Sequence, residues 1–240
     1  MVKKFFAGFA AGLILALSTT NTCLARTISG PGGDVEIEFP DDFYTIYIDD
    51  NENNELTNHL DITYDTIKSR MEENDIYAGG VNDDDSIEIS AIIEYLGQDY
   101  GSMSDYPDET LKDFLEEHRK KLENEKYTNI TIERLNDHYY MATYDMEDEF
   151  NTSHIISYNT FSGKYIYSLN ALYTNPENYD AARAYLDEIT DTFKIPQTEK
   201  KSGFIDISKW KIQWLIIGLI TVTVIIAGIV IRVSRKKHHS

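Results

Sequence analysis

Serine, histidine and carboxylate side chains are the groups in this 240-residue chain that could carry acid–base, nucleophilic or metal chemistry. Ser153 and His154 are neighbours in a strand-like pattern, so their side chains point to opposite faces and cannot form a nucleophile–base pair. His118 falls on the apolar face of a helical repeat, the place of a core-edge histidine and not of a general base. There is no G-x-S-x-G, H-E-x-x-H, Walker loop or G-x-G-x-x-G. Gly79-Gly80 lacks the further glycines and following helix of a phosphate loop and reads as a bulge or a tight strand contact.

Two acidic runs bear on cation binding. Asp49-Asp50-Asn51-Glu52-Asn53-Asn54-Glu55 starts like an EF-hand loop, but the sixth position is Asn54 where the loop needs Gly, and the twelfth is Leu60 where it needs Glu. Asp83-Asp84-Asp85 reads as a solvated turn, with a weak Ca²⁺ site as its alternative. His238 and His239 read as a solvated terminus. No catalytic, cofactor-binding or metal residue is assigned from the sequence.

The elements that hold these residues follow from periodicity. Val35, Ile37 and Phe39 alternate with Glu36 and Glu38 as a half-buried strand, stopped by Pro40-Asp41-Asp42, and Tyr44 to Ile48 reads as its partner. A polar stretch from Asp49 to Asn58 precedes a helix from Tyr64 to Glu73. Ile76 to Val81 and Ser86 to Tyr95 flank the turn Asn82-Asp83-Asp84-Asp85 as a hairpin. Leu111, Phe114, Leu115, His118 and Leu122 mark a second helix that starts near Asp105 or Pro107. Strands follow at Asn129 to Leu135, His138 to Asp145, Ser153 to Thr160 and Lys164 to Tyr173. Asn175-Pro176 opens a closing helix through Phe193, with Tyr179, Ala182, Tyr185, Leu186, Ile189 and Phe193 on its apolar face. The expected class is α+β, an antiparallel sheet flanked by helices. The 17 tyrosines suit a half-buried sheet whose hydroxyls stay wet.

The order of these pieces resembles a known family. A strand ending in Phe39-Pro40-Asp41-Asp42-Phe43, an amphipathic helix, strands joined at Asn136-Asp137, the run YNTFSGKYIYSL from Tyr158 to Leu169, and a last helix closing in Asp191-Thr192-Phe193-Lys194-Ile195 look like the PsbP-like α/β/α sandwich. The resemblance covers residues 34 to 195 and implies that Tyr158 to Leu169 is a hairpin. It implies a binding module more than an enzyme, because the family's roles include photosystem assembly, binding of a nuclear-transport GTPase, and uncharacterised envelope functions.

The ends of the chain speak of location. Trp214 to Ile231 is eighteen residues without a charge, followed by Arg232, Arg235, Lys236 and Lys237. At about 1.5 Å per residue such a helix covers roughly 27 Å, close to the hydrocarbon thickness of a bilayer. Trp210 and Trp214, four residues apart, share a helix face at interfacial depth, and the Lys/Arg bias makes the tail cytoplasmic. At the other end, Lys3 and Lys4 precede an apolar stretch from Phe5 to Leu17, and Cys23-Leu24-Ala25 suits signal peptidase. Lipoprotein processing at Cys23 is a weaker fit, because Thr20, Asn21 and Thr22 stand where Leu and small residues belong; an uncleaved signal anchor is a further alternative. The expected map is a signal peptide over 1–25, an exported domain over 26–195, a juxtamembrane stalk over 196–209, a transmembrane helix over 210–231 and a cytoplasmic tail over 232–240.

Composition narrows the function classes. Cys23 is the single cysteine, so the exported domain is held by its core without disulfides, as suits a bacterial envelope protein. Between residues 26 and 209 there are 15 Lys and Arg against 41 Asp and Glu, a net charge of −26, which repels nucleic acid. No cofactor is expected. The expected partners are the membrane, through one C-terminal span, and a protein or cell-wall component. The sequence thus reads as a single-pass, membrane-anchored extracytoplasmic binding or assembly module, with a carboxylate-based hydrolase of envelope material as the alternative.

Overall fold

The computed structural model describes residues 25–197, apart from 52–53, 98, 125–126 and 148–150. The signal peptide, transmembrane helix and cytoplasmic tail expected from the sequence, with nearly all of the stalk, lie outside the described residues. Among the described residues no helix is long and apolar enough to cross a membrane.

Among the described residues, nine strands and four α-helices form three layers. A short ribbon pairs β1 (Arg26–Gly30) with β2 (Gly33–Ile37). The main sheet has seven strands, all antiparallel, in the order β3-β4-β5-β9-β8-β7-β6. These are β3 (Phe43–Tyr47), β4 (Ile76–Asn82), β5 (Ile87–Tyr95), β6 (Thr128–Arg134), β7 (Tyr140–Glu147), β8 (Thr152–Ser162) and β9 (Tyr165–Tyr173). One face carries α4 (Tyr179–Thr192) and the ribbon; the other carries α1 (Glu55–Leu60), α2 (Tyr64–Glu73) and α3 (Asp108–Asn124). The class is α+β, an antiparallel sheet flanked by helices.

Burial explains the layering. Ile87, Ile89, Ala91 and Ile93 of β5 pack with Ala182, Leu186, Ile189 and Phe193 of α4 and with Ile28, Val35 and Ile37 of the ribbon. On the far face, Leu111, Phe114, Leu115 and Leu122 of α3 cover Tyr140, Ala142, Tyr144, Ile155 and Phe161. Leu56, Ile67 and Met71 of α1 and α2 cover Ile46, Ile76, Val81 and Ile92. These apolar stripes explain why the periodicity of the helices and of the β4–β5 hairpin was readable. The hairpin turns through Asp85 at a φ of 58°, and the β8–β9 hairpin through Gly163 at 61°.

Three local expectations are corrected. The partner of β2 is β1, while β3 joins the main sheet against β4. Asp49 to Asn58 is not all loop: Asn54 caps α1 by accepting from Leu56 N. The closing helix begins as a 3₁₀ turn over Pro176–Asn178, with Asn175 Oδ1 accepting from Glu177 N, before α4 proper. The tyrosines also go deeper than half-burial. Tyr140, Tyr158 and Tyr167 are among the largest fully buried side chains, and the Tyr158 hydroxyl donates to Asp187 on α4 at 2.7 Å.

The two central glycines of β4 differ. A Cβ on Gly80 would lie 2.9 Å from the Tyr44 carbonyl oxygen, whereas one on Gly79 would meet Ile89 O at 3.5 Å, ordinary contact. Gly80 is therefore the tight strand contact. Gly80→Ala should destabilise the fold by about 1–3 kcal/mol, the usual cost of overpacking. Gly79→Ala should be neutral or slightly stabilising, as expected for Gly→Ala at a permissive φ. Thermal melts of the two variants against wild type check the difference.

Candidate functional site

The groups able to do chemistry gather on the sheet face that carries α2 and α3. Alternation along β5 puts Glu88, Ser90, Ile92 and Glu94 on that face, because Ile87, Ile89, Ala91 and Ile93 face α4. Cross-strand pairing continues the rows: Ser90–Asn170–Ser157–Ala142, then Ile92–Ser168–Asn159–Tyr140. α3 packs chiefly on β6 and α2 on β4, so the two helices flank the central strands. A polar seam runs between their two apolar lobes.

The seam is buried and largely bonded to itself. Ser157, Asn159 and Ser168 are at most 1% exposed, and Ser90, Glu94 and Asn170 are buried as well. Ser157 Oγ donates to Asn170 Oδ1 at 2.5 Å, Ser168 Oγ to Asn159 Oδ1 at 2.8 Å, and Asn159 Nδ2 to the Ser157 carbonyl at 3.1 Å. Such bonding offsets most of the cost of taking these groups out of water. Tyr140 is fully buried, and its hydroxyl is one of the buried side-chain atoms that find no hydrogen-bond partner among the described residues. Burial, then the nearby Glu94 and Tyr144, hold its phenol well above the ordinary value, so it stays protonated and able to donate. The His118 ring meets the Tyr140 ring edge-on at 5.8 Å, which places His118 in the core as its helical position implied.

Carboxylates sit at both ends of the seam. Glu88 is half-buried by surface area, yet so enclosed by protein that desolvation pushes its carboxyl up to about 8. Glu94 lies six positions further along the same strand face, roughly 20 Å away at about 3.4 Å per residue. Glycosidase pairs work at about 5–9.5 Å, so these two carboxyls do not form such a pair.

The sequence-flagged residues go to separate places. His154 Nδ1 lies 2.6 Å from Asp145 Oδ1, whose other oxygen accepts from Asn129 Nδ2 at 2.6 Å, on the α4 face. Ser153, one residue away, is on the opposite face and buried. Asp49 and Asp50 are not simply solvated. Both bond the Arg26 guanidinium, which lies 4.2 Å from the Tyr47 ring centroid. Asp50 Oδ2 also accepts from Tyr47 N at 2.8 Å and Asn54 Nδ2 at 2.7 Å. In the 83–85 turn, Asp83 is exposed, Asp84 Oδ1 accepts from Ser86 N at 3.0 Å, and Asp85 Oδ1 lies 2.5 Å from His59 Nε2. Among the described residues, no group of three His, Cys, Asp or Glu side chains converges to hold a metal ion. The seam was missed because Ser157/Asn159 and Ser168/Asn170 look like the wet faces of two strands. Their matching alternation was the available signal.

Glu88 sets a pH dependence of stability. Its folded-state value of about 8 lies above the ordinary 4.5, so the folded protein binds the extra proton between those pH values. The contribution is fully present below about pH 4.5 and is lost as pH rises through about 8. Glu88→Gln should flatten the melting temperature across this window and raise it above wild type at neutral pH. Melts from pH 5 to 8.5 check this; parallel profiles for the two proteins would contradict it.

No protein-family model matches the sequence. No curated protein matches it. Among solved structures, the chain is similar to the cyanobacterial PsbP (CyanoP) of Synechocystis sp. PCC 6803, with 12% identity and a TM-score of 0.41, covering 77% of this chain and 100% of that one. It is similar to a protein from Bacteroides thetaiotaomicron VPI-5482 at 11% identity and a TM-score of 0.38, covering 74% of this chain and 50% of that one. A protein of unknown function from Pseudomonas aeruginosa follows at 10% identity and a TM-score of 0.33, covering 73% and 99%.

Proposed function

We propose that this chain is a single-pass, membrane-anchored binding or assembly module of a bacterial cell envelope. In this reading residues 26–195 lie outside the cell, 196–209 form a stalk, 210–231 span the membrane and 232–240 are cytoplasmic. The uncharged run from Trp214 to Ile231 and the Lys/Arg bias around it support the anchor. The PsbP-like order of strands and helices supports the binding reading, and the polar seam is a buried structural network whose carboxyls, Glu88 and Glu94, stand too far apart to act as a pair. The partner is an uncharged or cationic envelope component, since the domain's net charge of −26 opposes an anionic one.

Two experiments test this. Alkaline phosphatase fused after Lys201 should be active and fused after Lys237 silent; the reverse pattern ends the orientation. The domain over residues 26–197 should retain a protein or wall component from native envelope extracts, and retention of nothing would contradict binding; Tyr140→Phe, which removes a fully buried hydroxyl, should leave capture unchanged and melting unchanged or slightly raised. Release of sugar or peptide fragments from envelope material by the wild-type protein would replace binding with the hydrolase reading.

A further inference from the structure

The end of the domain from which the chain departs at Pro196 carries an aromatic patch. Tyr95, last residue of β5, pairs with Tyr165, first residue of β9, and their rings lie 5.5 Å apart. Tyr95 is the large hydrophobic side chain left open among the described residues, at 58% exposure. Tyr77 stands half-buried near Tyr165, and Lys164 is exposed in the adjoining turn. Contacts run unbroken from this patch to the point of departure. A Cβ on Gly32 would lie 2.7 Å from Tyr165 Cδ2, and one on Gly33 would lie 2.9 Å from Pro196 Cγ. Ser162 Oγ, at the end of β8, donates to the Pro196 carbonyl at 2.6 Å.

We propose that the Tyr95–Tyr165 face is a membrane-contact surface, resting at the headgroup level of the bilayer beside the anchor. This rests on the anchored reading above. Twelve residues, 198–209, separate the described domain from the 210–231 segment. Even fully extended, at about 3.3–3.6 Å per residue, they reach at most roughly 40 Å, which keeps this end of the domain near the headgroups. Tyrosine suits that depth, because its ring takes the apolar side and its hydroxyl the wet side. Charge selects the lipid. A domain of net charge −26 is repelled by anionic headgroups, so the contact is aromatic and forms best on uncharged, zwitterionic lipid. Added salt screens the repulsion and should strengthen it.

The test uses the full chain in a Cys23→Ser background, reconstituted into phosphatidylcholine vesicles containing headgroup spin-labelled lipid. A fluorophore is attached at Lys164→Cys, beside the patch, or at Asp84→Cys, in the turn at the opposite end of β5. Emission at position 164 should be quenched, position 84 should not, and adding Tyr95→Ala with Tyr165→Ala should bring 164 to the level of 84. Raising NaCl should deepen the quench at 164 when part of the lipid is anionic. Equal quenching at both positions, quenching indifferent to the tyrosines, or a quench that salt weakens would overturn the proposal. Carbonate extraction separates it from the anchor: a resistant protein without quenching at 164 keeps the anchor and overturns the contact. An extractable protein with tyrosine-dependent quenching supports the contact and removes the anchor.

Discussion

The pairing of β5 with β9 is the interaction on which the rest of the structure depends. β3, β4 and β5 come from the first half of the chain and β6 to β9 from the second, and the two halves meet along the register from Ile87–Tyr173 to Tyr95–Tyr165. Both faces of this junction are used. Toward α4 it is continuous hydrocarbon, and toward α2 and α3 it is the polar seam. Closing it requires partners some 70 to 86 residues apart, a non-local contact whose loop-closure cost is met before the core rewards it. The final strand thus enters the middle of the sheet, and α4 can dock only once that strand provides its platform.

The seam gives the far face a different physical character from the near one. Hydrogen bonds among Ser157, Asn159, Ser168 and Asn170 are directional, so they fix the relative position of β8 and β9 more tightly than hydrocarbon packing does. The lobes on either side have separate apolar clusters, one under α1 and α2 and one under α3. A change in one lobe therefore reaches the other through the strands and the polar row between them.

Legibility in the sequence followed the range of the interactions. Local signals were enough for α2, α3 and the β4–β5 hairpin, because helical spacing and the Asn82–Asp85 turn are properties of contiguous residues. The β1–β2 ribbon escaped because Arg26–Gly30 sits beside the expected processing site and Gly30-Pro31-Gly32-Gly33 resembles loop. α1 escaped because its capping Asn54 is embedded in an Asp/Asn/Glu run, leaving only Leu56 and Leu60 as apolar markers. The alternation of Val35 and Ile37 was visible, but a strand does not name its partner, and the adjacent strand was the wrong one. The seam needed the register of strands far apart in sequence. Polar residues at alternate positions look alike whether they face water or each other.

The attachment of the C-terminal end has a mechanical consequence. Lys194 exchanges both backbone hydrogen bonds with Glu36 at 2.9 Å, and the Pro196 carbonyl is held by Ser162. A tensile load arriving from beyond Gln197 meets these few bonds, made to the ribbon and to the end of β8, before it reaches α4. Few bonds loaded one after another yield at lower force than a ladder sheared all at once. Residues 194–197 would thus act as a fuse, letting out a short length of chain while the β5–β9 junction stays closed.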